Sequence, residues 1–153
     1  MKRYCLSGML AVAAIGLLLA ASPVSADEEL PFKATMEWTM IPPPGPVLTF
    51  AGTGNATHVG YCTGVNTVTS WWDPESQVYR AHATPTIMDT QGNQIFLDVN
   101  QVWNWAKGRW EGTYDIVGGT GKFEGASGYG QNKAKPTSTP GVSVAEFEGI
   151  IIF

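Results

Sequence analysis

The sequence is poor in the residues that build most active sites. Of 153 residues, two are cysteine, two are histidine and 14% are charged. Cys5 and Cys62 cannot make a disulfide framework. His58 and His82 form no His-x-His pair, and no Cys-x-x-Cys occurs, so the three or four ligands of a zinc site have no motif behind them. There is no Gly-x-Ser-x-Gly elbow for a serine hydrolase. Gly118-Gly119-Thr120-Gly121 is not followed by Gly-Lys-(Ser/Thr), so it does not read as a phosphate loop. After the N-terminal segment no stretch keeps a helical period, and no repeat or low-complexity linker breaks the chain. Neither a metal nor a cofactor is expected.

The one apolar run, Leu10 to Ala21, follows Lys2 and Arg3 and precedes Val24-Ser25-Ala26. That order reads as a secretory signal peptide, residues 1–26, cleaved after Ala26. The run is too short for a stable membrane span, which needs about 20 apolar residues. The mature chain is then one domain, residues 27–153, and secreted or periplasmic. Without Lys2 and Arg3, seven basic residues face thirteen acidic ones, a net charge of −6. Such a domain is a poor partner for nucleic acid, which selects basic patches. Cys62 is its only thiol, and burial is the expectation for it.

What the chain does have is alternation. Phe32, Ala34, Met36, Trp38 and Met40 fall on one side of a strand, with Lys33, Thr35, Glu37 and Thr39 on the other. Pro42-Pro43-Pro44-Gly45-Pro46 ends it, because proline cannot donate to a ladder. Extended stretches follow at about 47–53, 59–71, 77–88, 94–105, 109–116 and 129–135, with a last one ending at Phe153. Pro85 implies an edge, a bulge or an early end within its strand. Ile95, Leu97, Val99, Trp103 and Trp105 share a face that only Gln101 interrupts. About eight strands joined by short turns make an all-β antiparallel barrel or a sandwich.

Residues 118–128 carry Gly118, Gly119, Gly121, Gly125 and Gly128 around one aromatic, Phe123. Glycine at this density turns the backbone where a Cβ would be forbidden, with Phe123 as an inward anchor. The run fills every fixed position of the Gly-Gly-(Thr/Ser)-Gly-x-Phe-x-x-Ala-x-Gly segment of the allene oxide cyclase barrel family and the related dirigent proteins, and the chain resembles them there. Gly52 to Gly60, including Asn55 and His58, is similar to a motif in small secreted bacterial proteins of the same barrel type. The resemblance implies a single antiparallel, eight-stranded, calycin-like barrel with a central cavity, assembled as a trimer or dimer.

It also implies two site residues. Allene oxide cyclases place a catalytic glutamate in a Glu-x-Asn pattern on their first strand. Here Glu37-Trp38-Thr39 keeps the glutamate and replaces the asparagine. Gly60-Tyr61-Cys62 is similar to a stretch whose cysteine lines the cyclase cavity. Glu37 and Cys62 are therefore the candidate catalytic pair. The bland alternative for Glu37 is an outward solubilising charge, and for His58 and Asn55 a structural polar corner.

The aromatics point to binding. Trp38, Trp103, Trp105, Trp110, Tyr114 and Phe147 all lie on apolar faces. They either fill a narrow barrel or line a cavity for one small apolar molecule. Three readings follow, and the sequence leans away from the enzyme. The first is a binding module for a small apolar ligand. The second is a cofactor-free isomerase or cyclase acting by confinement, which needs both Glu37 and Cys62 inside. The third is a structural or interaction protein with a plugged barrel.

Overall fold

The computed structural model describes residues 28–42 and 45–153. The expected signal peptide lies outside the described residues. Eight strands follow in chain order: β1 (Glu29–Ile41), β2 (Leu48–Ala56), β3 (Gly60–Asp73), β4 (Val78–Asp89), β5 (Gln94–Asn104), β6 (Arg109–Gly119), β7 (Ser127–Pro136) and β8 (Val142–Ile152). Each pairs antiparallel with its neighbours in sequence, and β8 pairs with β1 to close the barrel. Closure leaves no unpaired sheet edge. Among the described residues the only other element is a single 3-10 turn, Gly121–Phe123.

Alternation decides which face turns inward. In β1, Phe32, Ala34, Met36 and Trp38 are buried, while Lys33, Thr35, Glu37 and Thr39 are exposed. Large rings fit into this narrow lumen because the neighbouring strands supply glycine. Trp38 pairs with Gly52, and Gly52 with Gly64. A Cβ on Gly52 would overlap the Trp38 indole, and one on Gly64 would crowd it. In the same way Tyr114 lies over Gly130 and Gly149.

The lumen is filled in one half. Phe32, Met36, Ile87, Leu97, Tyr114 and Ile151 are fully buried there, and Tyr114 meets Phe147 edge-on at 5.4 Å between ring centroids. The glycine-rich segment caps this end. Gly121 takes φ +60°, and Phe123 is 1% exposed and stacks on Phe153. The segment is tied to the β4–β5 turn: Thr120 donates its amide to the Gln94 carbonyl at 2.8 Å, and Lys122 Nζ meets Asp89 at 2.9 Å. Asp89 also accepts from the amides of Gln91 and Asn93 and from the Asn93 side chain, and the Asn93 and Lys122 contacts lead in holding its carboxyl well below the usual carboxylate range.

Two sequence expectations change. Pro85 neither ends β4 nor marks an edge; it sits buried in mid-strand. The β4–β5 pairing lapses instead between Ala83–Val99 and Thr86–Phe96, where proline has no N–H to give. A register shift follows in β5–β6 between Phe96 and Leu97. Trp105 is not in β5. Asn104 ends that strand, its side-chain oxygen accepting the Lys107 amide at 3.1 Å, and Trp105 projects from the resulting turn, 66% exposed.

Candidate functional site

The other half of the barrel is hollow. The turns between β1 and β2, β3 and β4, β5 and β6, and β7 and β8 all lie at one end, and there the lumen opens as a cavity of about 310 Å³. That is the low end of the range for small-molecule sites. Its apolar walls come from Trp38, Phe50, Val68, Val99, Trp110 and Phe147, among others. Alanines at positions 81, 83, 134 and 145 and Pro85 keep it from filling. Among the described residues no Asp, Glu, Lys, Arg, His, Cys or Tyr lines it.

Hydroxyls of Ser70, Thr137, Thr139 and Ser143 lie in the lining, and three neutral amides join them: Asn66 on β3, Gln101 on β5 and Asn132 on β7. The Gln101 Nε2 group donates to Asn132 Oδ1, and Asn132 Nδ2 donates to the Glu146 carbonyl at 3.2 Å. Asn132, 1% exposed, is thereby fixed from two sides. Asn66 is different. It is 8% exposed, and its Oδ1 is buried without a hydrogen-bond partner among the described residues. A buried acceptor left unpaired is costly, so the Asn66 carboxamide, on a residue of the lining, gains by turning towards a donor in the lumen.

The structure divides the predicted site residues. Trp38, Trp110 and Phe147 line the cavity. Tyr114 belongs to the filled half, where burial raises its hydroxyl pKa to about 12, Glu148 adding a smaller effect. Its hydroxyl, too, is buried without a partner among the described residues. Trp103 and Trp105 stand at the rim, in a chain of edge-to-face rings that runs from Trp110 to Trp103, Trp105, Tyr79 and Trp72.

The proposed catalytic pair is not assembled. Cys62 points inward but lies in the filled half, donating to Met36 Sδ at 3.4 Å, and burial raises its thiol pKa. Glu37 points outward and is exposed, between Thr53 and Val144 on the adjacent strands. The reason is parity: Trp38 and Met36 take the inward positions, and Glu37 lies between them. The two side chains are therefore not brought together in the cavity.

Asn55 stands on the exposed outer face between Thr35 and Tyr61. Next to it, the Thr57 hydroxyl accepts the Lys33 amide at 2.9 Å, and His58, at φ +65°, places Nε2 3.0 Å from the Pro31 carbonyl. These contacts tie the β2–β3 turn to β1. Among the described residues no group of three or more His, Cys, Asp or Glu is placed to hold a metal ion.

Sequence reasoning missed the three lumen amides. The signal was there for Gln101, which breaks an otherwise apolar face. Asn66 shares parity with Cys62 and Val68, and Asn132 with Ala134.

Two solved structures are similar to this chain over most of its length. The structure of the pterocarpan synthase dirigent protein GePTS1 matches at 17% identity and a TM-score of 0.47, over 82% of this chain and 85% of that one. The pterocarpan synthase dirigent protein PsPTS1 matches at 15% identity and a TM-score of 0.49, over 82% and 95%. The sequence matches no family model and no curated protein.

Proposed function

We propose that this is an exported binding protein whose half-open barrel holds one small, largely apolar, uncharged molecule bearing a hydrogen-bond donor. The observation that carries the reading is a cavity of about 310 Å³ with aromatic walls and one unpartnered carbonyl, Asn66 Oδ1. Apolar walls supply affinity through burial, and an acceptor left unpartnered among the described residues favours a ligand that brings a donor. A lining free of ionisable groups favours binding over acid–base chemistry, which requires a proton donor or acceptor within reach of the substrate. Export rests on the apolar run Leu10 to Ala21 and the Val24-Ser25-Ala26 site. Assembly into a trimer or dimer stays part of the proposal, with exposed Val117 and Tyr129 on adjacent β6 and β7 as the wall available for it.

The test uses N-phenylnaphthylamine, an uncharged fluorescent probe with two aromatic groups and one N–H. Its emission should rise on mixing with the protein. Val68→Phe and Ala134→Phe, which intrude from different walls, should each abolish the rise while unfolding remains cooperative. An undiminished rise in both filled variants would place the probe elsewhere and remove the lumen as the site. A native mass spectrum of protein purified gently from its own host, repeated after denaturation, would then identify the natural occupant.

A further inference from the structure

We infer that the open rim of the barrel docks on an anionic lipid bilayer, so that the cavity opens onto the membrane surface. The docking rests on the rim itself; exchange of the cavity's ligand with the bilayer rests on the binding function proposed above.

The first observation is the rim's composition. Trp71, Trp72, Tyr79 and Trp105 are exposed on the β3–β4 and β5–β6 hairpins at the mouth, and Ile41 and Val47 are exposed where β1 ends and β2 approaches. Tryptophan and tyrosine pair an apolar ring with a polar tip, the chemistry enriched where lipid headgroups meet hydrocarbon. Beyond their edge-to-face contacts with one another, the exposed parts of these rings leave apolar surface in water. The patch is also continuous with the cavity, since Trp110 lines the lumen and packs on Trp103, which packs on Trp105.

The second observation is the charge distribution. In the mouth turns and within three residues of them, Arg80, Lys107, Arg109 and Lys135 face Asp73, Glu75 and Glu111, a net charge of +1. The other described residues carry three basic and nine acidic side chains, a net charge of −6. An anionic surface therefore attracts the mouth and repels the rest, which orients the barrel rim-first.

The third observation excludes spanning. A barrel that crosses a bilayer carries an apolar band around its outside. This outer wall carries Lys33, Glu37, Asp115, Lys133, Glu146 and Glu148, all exposed. The barrel sits on the membrane by its rim, as interfacial proteins do by an apolar face.

The experiment is flotation of the ligand-free protein with vesicles of phosphatidylcholine, with and without a minority of phosphatidylglycerol. The wild type should float with the mixed vesicles. The double variant Trp72→Ser/Trp105→Ser should partition on the order of a hundredfold less, because two indoles no longer leave water. Tyr61→Ser, on the barrel wall away from the mouth, should float like the wild type. Lys107→Gln should lose about fivefold on mixed vesicles and nothing on pure phosphatidylcholine. Undiminished N-phenylnaphthylamine binding shows that each variant is folded with its lumen intact. A wild type that stays unbound, a double variant that floats equally well, or rim tryptophans that instead drive concentration-dependent self-association in sedimentation would each overturn the proposal. Flotation without probe binding would keep the docking and remove the cavity function. Probe binding without flotation would do the reverse.

Discussion

The same substitution at two positions in one lumen should have opposite effects. Asn66 and Asn132 both line the cavity, both are nearly buried, and leucine approximates the shape of either side chain. At position 66 the carboxamide oxygen is buried with no partner among the described residues, a state that costs roughly 1–3 kcal/mol. Asn66→Leu removes that cost and should stabilise the empty protein by about 1–2 kcal/mol, allowing for imperfect packing of the new branch. At position 132 the carboxamide accepts from Gln101 and donates to the Glu146 carbonyl. Asn132→Leu loses both bonds and strands the Gln101 amide, so it should destabilise by about 2–4 kcal/mol. For a domain of this size, each kcal/mol moves Tm by about 4 °C. Differential scanning calorimetry of the two variants should therefore show Asn66→Leu melting above the wild type and Asn132→Leu well below it. A lowered Tm for Asn66→Leu would mean that Oδ1 is well satisfied in the free protein. The cavity would then have no unpaired acceptor with which to select a donor-bearing ligand. A second readout comes from the probe: Asn66→Leu should weaken N-phenylnaphthylamine by about tenfold, since a buried hydrogen bond is lost as the ligand's donor goes unpaired.

Other consequences follow from the same packing. Trp38→Ala uncovers Gly52 and Gly64 and removes a cavity wall, so it should cost about 3–5 kcal/mol in urea unfolding; a loss under 1 kcal/mol would contradict the ring-over-glycine account. Gly149→Ala places a methyl against the Tyr114 hydroxyl and the Tyr129 carbonyl and should cost at least about 1–3 kcal/mol by the same assay. Cys62 should resist Ellman's reagent in the folded protein and react fully in denaturant, because it is buried and its thiol pKa is raised; rapid native labelling would refute its position. Acid should destabilise the barrel. Asp73, bonded first by Arg80, and Glu111, bonded first by Asn104, are held at about 2, below their ordinary 3.8 and 4.5. A depressed native pKa contributes stability that is complete above the unfolded value and is lost as pH falls through the native one. Tm should thus be flat above about pH 5 and fall towards pH 2, and Glu111→Gln should flatten that fall.

The barrel was legible because each strand in a closed single-layer sheet has one wet and one dry face, which writes period-two alternation directly into the sequence. Strand β1 shows how reliable that signal is. Its alternation alone put Glu37 with Lys33, Thr35 and Thr39 on the outer side. Only likeness to another family's first strand suggested an inward catalytic role, and the local pattern was the better guide. What alternation cannot supply is depth along the barrel axis. Tyr114 and Trp110 share parity on one strand, yet one is packed and the other lines a cavity. The difference comes from their neighbours: Tyr114 lies over Gly130 and Gly149, whereas the wall opposite Trp110 is trimmed to Ala134. That depends on cross-strand register, which is set by turns and by interruptions such as those near Pro85 and Phe96. Trp105 was misplaced for a related reason: the strand ends through a side-chain bond made by Asn104, one residue before the tryptophan.

The distribution of ionisable groups gives the binding and enzyme readings different pH signatures. Among the described residues no side chain that titrates in the acid range lines the cavity. The polar side chains of the lining are amides and the hydroxyls of Ser70, Thr137, Thr139 and Ser143, none of which changes charge in that range. Affinity for an uncharged probe should therefore stay constant wherever the barrel is folded, and fall at low pH only in step with unfolding. A catalyst using an acid or base in the lumen would instead lose activity on one or both sides of an optimum while still folded. Measuring probe affinity and far-ultraviolet circular dichroism on the same samples from pH 7 down separates the cases. Coincident transitions fit a neutral pocket in a carboxylate-pinned barrel. Affinity that changes well above the unfolding pH would mean that a titrating side chain reaches the ligand after all, and the outward placement of Glu37 and the packed position of Cys62 would both need revision.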